Sequence, residues 1–300
     1  MNLMYLTRKI INKITIRKNK LFNKSVFKEK VAKDIPSNLI DLLHFSFNKK
    51  LSRADKTLGK KVELLRNEVA RNYKEKNVAT FASPRSGSKL FADDGSVIPG
   101  KFVESVKGGF ARTGTGIENG IQLKKIIESI KASSILELGT NTGLSGCYFL
   151  SSKNNPYLHT IEGSSELCDI ARSNLSEISQ NFFVDNSMFD ESIDSLIGEG
   201  KKFDLAFVDG QHEEKATLHY AQKLKKVVKK GGGILFDDIY WSEGMNNAWL
   251  KILKDDDFSL TLDLGTRGLC ILKDNINIDN KLHFSVTEYT GKPLFNREGW

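Results

Sequence analysis

Five acids in this 300-residue chain stand where alternating strands and helices would gather them on one rim. Glu137 lies in Ile135-Leu-Glu-Leu-Gly-Thr-Asn-Thr-Gly-Leu-Ser145, where a strand gives way to a turn around Gly139, Thr140, Asn141 and Gly143. The glycines allow a tight turn and a close approach of ligand to backbone, and the next helix opens with free N–H groups. An acid before the first glycine would repel a phosphate; it suits a ligand carrying an ammonium and a sulfonium. Glu162 closes the next strand, placed to accept hydrogen bonds from two ribose hydroxyls. Ser187 follows a third strand, where groups contacting an adenine would sit, and Asp209 ends a fourth. Asp237 and Asp238 end a fifth, and His212 lies three residues beyond Asp209.

The elements that must carry these residues are regular from Glu118 onward. Strands are expected at Ser134–Leu138, Tyr157–Ile161, Phe182–Val184, Phe203–Val208 and Gly233–Phe236, with apolar-periodic helices between most of them. This spacing predicts an α/β, Rossmann-like, doubly wound and mostly parallel sheet with every strand C-terminus on one edge. Phe258–Leu264 alternates apolar and polar residues, Gly265-Thr-Arg-Gly268 reads as a turn, and Leu269–Leu272 is apolar. The sheet should therefore close in an antiparallel hairpin, with a helical extension at the N-terminal side of the chain. A nicotinamide-dependent dehydrogenase is disfavoured, because Gly139-Thr-Asn-Thr-Gly143 spaces its glycines wrongly for G-x-G-x-x-G.

These motifs, in this order, resemble class I S-adenosylmethionine-dependent methyltransferases, and most closely the catechol and caffeoyl-coenzyme A O-methyltransferase group. The likeness runs through ILELGTNTGLS, TIEGS, the helix pattern Glu118-Asn-Gly-Ile-Gln-Leu123, the strand Phe203–Asp209 and Gly231-Gly-Gly-Ile-Leu-Phe-Asp-Asp238. It implies that Glu137, Gly139 and Ser145 hold the methionine end of S-adenosylmethionine, with Thr140, Asn141 and Gly143 in the same turn. By the same carry-over Glu162 holds the ribose, and Ser187 borders the adenine with Met188. In the catechol-like group an acid ending the fourth strand and an Asp-Asn pair ending the fifth bind a divalent cation. Those positions read Asp209, Asp237 and Asp238 here, which would suit Mg²⁺. The alternative is that Asp237 and Asp238 cap the strand and the next helix without a metal. His212 stands where that group has a general-base lysine, and imidazole suits the task at neutral pH. Trp241 and Trp249 either wall an acceptor pocket or pack the core.

The formal net charge of +8 is concentrated in one place. Between Met1 and Asp34 stand ten Lys or Arg and two acids, and no acid precedes Glu29. With Leu3, Leu6, Ile10, Ile11 and Ile14 at helical spacing, residues 1–34 read as a basic amphipathic arm suited to an anionic surface, membrane or nucleic acid. Residues 35–115 form a helical and loop-rich accessory region, a lid or substrate flank, with a short strand around Val78–Phe81 and a turn at Arg85–Lys89 that could cradle an anion. Residues 116–275 form the cofactor domain and 276–300 a tail. Three scattered cysteines argue for reduced thiols and against zinc or a disulfide framework. Together with the lack of any transmembrane-length apolar run, they suggest a cytoplasmic protein, membrane-peripheral if the arm binds lipid. The expected activity is O-methylation of a small-molecule acceptor. The alternatives are methylation of RNA or protein through the arm, or a cofactor-binding interaction protein without catalysis.

Overall fold

The computed structural model describes residues 3–73, 76–80, 102–105, 114–274 and 281–291. Helix α1 (Leu3–Asp34), α2 (Ser37–Asn48) and α3 (Arg53–Asn72) come first, the last opened by a capping box in which Ser52 and Asp55 satisfy each other's backbone N–H. Strands β1 (Asn77–Thr80) and β2 (Phe102–Ser105) form a separate antiparallel pair. The Arg85–Lys89 turn lies outside the described residues, as do the side chains of Leu3, Leu6, Ile10 and Ile11.

The remaining strands make one eight-stranded sheet. Helix α4 (Ile117–Ile130) leads into β3 (Ser134–Leu138), α5 (Leu144–Leu150), β4 (Tyr157–Ile161), α6 (Ser165–Ser176), β5 (Phe182–Asp185) and α7 (Phe189–Gly198). There follow β6 (Phe203–Val208), α8 (Glu214–Leu224), β7 (Val228–Phe236), α9 (Glu243–Ile252), β8 (Phe258–Asp263), β9 (Gly268–Leu272), β10 (Leu282–Ser285) and the short α10 (Thr287–Thr290). The order across the sheet is β10-β8-β9-β7-β6-β3-β4-β5. Strands β7, β6, β3, β4 and β5 are parallel, and β9 runs antiparallel to both β7 and β8, as the alternating pattern and the hairpin predict.

The pleat explains why these strands read as unbroken apolar runs: both faces are covered by helices. Ile135, Leu205, Phe207 and Leu235 join a core with α2, α4 and α5. Their neighbours Leu136, Leu138, Ala206, Val208, Ile234 and Phe236 join the opposite core with α7, α8 and α9. Glycine sets one helix contact: a Cβ on Gly120 would lie 2.1 Å from the Tyr148 ring, so only glycine lets α4 and α5 approach this closely.

Two features go beyond the expected pattern. Strand β10 adds itself parallel to β8, outside the hairpin. It is fixed by Asp263, whose carboxylate accepts hydrogen bonds from Tyr240, Ser285 and Thr287 at 2.5–2.7 Å. The second half of α1 is packed: Phe27 and Val31 are fully buried, and the Phe27 ring stacks on Phe47 at 4.2 Å. Asn19 and Asn23 donate to the carbonyls of Thr290 and Tyr289.

Candidate active site

The carboxyl edge of the sheet collects the residues singled out above. Gly139 has φ +102°, and a Cβ there would meet the Asp209 carbonyl oxygen at 2.4 Å, so the turn after β3 presses against the end of β6. Gly143, φ +80°, caps α5. Between them Thr140 shares a 2.6 Å hydrogen bond with Thr160. Asn141, at φ +51°, donates its backbone N–H to Glu162 at 2.9 Å.

Glu137 is completely buried and accepts from the Ser145 hydroxyl and, at 2.7 Å, from Thr160. Burial outweighs both hydrogen bonds and pushes its carboxyl up to about 7. The second oxygen of Glu162 accepts from the Ser164 backbone N–H at 3.0 Å, and burial raises this acid too. Asn186, unmarked in the sequence reading, donates to the Glu162 carbonyl at 2.9 Å and so ties the end of β5 to that of β4. Ser187 opens the approach to α7, with its hydroxyl on the Met188 carbonyl at 3.2 Å. The side-chain oxygen of Asn141 is buried without a protein partner, in the turn that two glycines keep open. An unsatisfied buried acceptor beside such a turn fits a bound ligand carrying N–H or O–H groups.

The other half of the rim is acidic. Asp209, His212 and Asp238 come together, with His212 Nε2 3.6 Å from Asp209 and 4.0 Å from Asp238. Burial, then Asp237 and Asp238, raise Asp209 well above the carboxylate range. Burial followed by Asp237 pushes Asp238 up to about 6. Of the six non-glycine residues with positive φ among the described residues, Asn141, Gln211 and Asp238 lie on this rim, where the fold holds sparsely populated backbone. Gln211 is held by the Tyr220 hydroxyl at 2.7 Å, which fixes the turn that carries His212. The two tryptophans separate. Trp241 is half-buried with its ring 6.3 Å from His212, whereas Trp249 is core, packed so tightly that a Cβ on Gly268 would lie 2.3 Å from its ring.

Asp237 behaves differently from its neighbours. Both of its oxygens are engaged at 3.0 Å by the Nε and Nη2 of Arg267, which is only 1% exposed. Arg267 also donates to the Asn119 carbonyl at 2.8 Å. It stands in the hairpin turn, where a charged residue in sequence looks solvated. The Mg²⁺ expectation for Asp209, Asp237 and Asp238 finds no support in this arrangement. A guanidinium already neutralises Asp237 bidentately, and among the described residues no three His, Cys, Asp or Glu side chains are arranged to hold a metal ion.

Residues 136–239, from within β3 to just past β7, match the family model described as a methyltransferase domain. The chain carries a methyltransferase domain. The match takes in about a third of the chain and all of the acids described above. Among solved structures, the chain is similar to an O-methyltransferase from Bacillus cereus in complex with S-adenosylhomocysteine, at 20% identity over 54% of this chain and 84% of that one, TM-score 0.47. It is similar to an O-methyltransferase from Streptomyces achromogenes involved in tomaymycin synthesis, in complex with S-adenosylmethionine, at 19% identity over 54% and 82%, TM-score 0.46. A third is an S-adenosylhomocysteine-bound methyltransferase from Podospora anserina, at 16% identity over 55% and 82%, TM-score 0.45. No curated protein matches the chain. Within the methyltransferase domain, the glycine turn with Glu137 and Glu162 forms one half of the rim, and the His212 cluster forms the other.

Proposed function

We propose that the protein transfers a methyl group from S-adenosylmethionine to an oxygen of a small-molecule acceptor, with His212 as general base and no metal ion. The observation that carries this reading is the placement of His212 between Asp209 and Asp238 while Arg267 occupies Asp237. Glu137, Gly139, Thr140, Asn141, Gly143 and Ser145 would hold the methionine end of the cofactor. Glu162 would hold the ribose, and Ser187 would border the adenine. Bound there, the cofactor supplies an electrophilic methyl group on a sulfonium.

The protein's own part is to position and to move a proton. A cation near Glu137 favours its ionised form, which burial otherwise disfavours. The acceptor hydroxyl gives its proton to the His212 imidazole, and the adjoining Asp238 carboxylate stabilises the imidazolium that results. Trp241 offers a flat apolar wall beside that nitrogen. Residues 35–115 would flank the acceptor, and the basic first helix would face an anionic surface. Three buried free thiols suit the reducing cytoplasm. Among the described residues no helix is long and apolar enough to cross a membrane.

Isothermal titration with S-adenosylhomocysteine tests the pocket. Wild type should bind at micromolar Kd, unchanged by Mg²⁺ or chelator, and Glu162→Ala should weaken binding by about tenfold or more. A wild-type protein that binds no S-adenosylhomocysteine would sink the reading, and a Mg²⁺-dependent Kd would sink its metal-free part.

A further inference from the structure

Helix α1 has two faces, and the fold uses only one. Phe27 and Val31 are wholly buried, and Asn19 and Asn23 are tied to the chain around α10. On the other side Ile14 is 62% exposed, Leu21 74%, Phe22 73% and Val26 50%. These four make up half of the eight large hydrophobic side chains exposed among the described residues. At 100° per residue Ile14 and Leu21 fall nearly on one line, and Phe22 and Val26 lie roughly 100° and 140° around the helix from Leu21, so the four span a broad arc. Arg17, Lys18, Lys24 and Lys28 stand among and beside them, all exposed. No acid appears in the chain before Glu29.

We propose that α1 is an interfacial anchor that lays Ile14, Leu21, Phe22 and Val26 into the surface of an anionic lipid bilayer. This goes beyond the methyl-transfer reading and does not depend on it. Apolar residues on one face with a basic flank are what such a helix needs, since its side chains enter the headgroup boundary while the cations meet anionic lipid. Nucleic acid would use the cations but leave Leu21, Phe22 and Val26 in water. A second copy packed on the same face would bring two lysine-rich flanks together, and like charges oppose that arrangement.

Co-flotation of the full chain with vesicles tests this, using phosphatidylcholine alone or mixed with phosphatidylglycerol, at low and high salt. Binding should appear only with phosphatidylglycerol, weaken with salt, and fall by about tenfold or more in Phe22→Asp or Leu21→Asp. Both positions are exposed, so thermal unfolding of the variants should match wild type. The idea is overturned by absence of vesicle binding or by vesicle binding that Phe22→Asp leaves intact. It is equally overturned by a concentration-dependent dimer in light scattering that Phe22→Asp dissolves. S-adenosylhomocysteine titration of the same variants keeps this result separate from the fate of the methyltransferase reading, because an intact pocket should bind equally in all of them.

Discussion

Asp237 and Asp238 are neighbours in the chain and opposites in their chemistry. The first is enclosed and its charge is answered by a buried guanidinium on two hydrogen bonds. The second has left-handed backbone, faces an imidazole and is pushed up to about 6. The same contrast divides the whole rim. On the glycine-turn side, Glu137 and Glu162 are met by hydroxyls and backbone N–H groups, which orient them without neutralising them. On the other side, Arg267 removes one acid from play and leaves Asp209 and Asp238 to His212. One cation fixed by the fold thus decides which carboxylates remain available for chemistry.

The sharpest way to break that contrast is to remove the cation. Arg267→Met should destabilise the protein by about 3–5 kcal/mol in urea denaturation, because it strands Asp237 in the interior. Adding Asp237→Leu should restore most of the loss, and a double variant as unstable as the single one would show that the pair is not the reason. Glu137→Gln addresses the opposite side. Its folded value of about 7 lies above the ordinary 4.5, so the stability it contributes is present below pH about 4.5 and lost as pH rises through about 7. At pH 8 the glutamine variant should therefore be more stable than wild type without cofactor, by something on the order of 3 kcal/mol, and equal to it at pH 4. Equal stability at both pH values would mean that the buried carboxyl carries no ionisation penalty. The smallest effect is expected at Asp238→Asn. Above pH 7 turnover should fall on the order of tenfold, as His212 loses an orienting charge. Wild type should show an acid limb near pH 6 that becomes shallower in the variant, since one group that takes up a proton there is gone. A limb unchanged in the variant would assign it elsewhere.

Much of this was legible from residue types and spacing. The pleat sorts Ile135 from Leu136 and Leu205 from Ala206, so the strands, their order of appearance and the antiparallel hairpin follow from apolar patterning. The glycine turn and the acids at strand ends follow from the same pattern, because strand ends define the rim. What stayed hidden depends on contacts distant in the chain. Arg267 sits in a glycine-flanked turn, the place where a charge is most often solvated, and only the fold shows Asn119 and Asp237 closing over it. Leu282–Ser285 is too short to announce a strand; its place is set by Asp263 collecting hydroxyls from residues 20 and more positions away. Helix α7 carries little apolar signal, because Phe189–Gly198 is rich in acids and serines, and its core contacts are Ile193 and Leu196. The basic arm hid a packing signal in plain sight: Phe27 and Val31 are four residues apart, one turn of one face, but lysines on every side masked it.

The bonds from Asn19 and Asn23 to the carbonyls of Thr290 and Tyr289 join residues 271 and 266 positions apart. Synthesis proceeds from one end at about 5–20 residues per second, so these partners are made roughly 13–54 s apart. For that interval α1 lacks its neighbours around α10, and Phe27 has only α2, with Phe47, to cover it. Whatever surface α1 meets first, it meets while the protein is still being born.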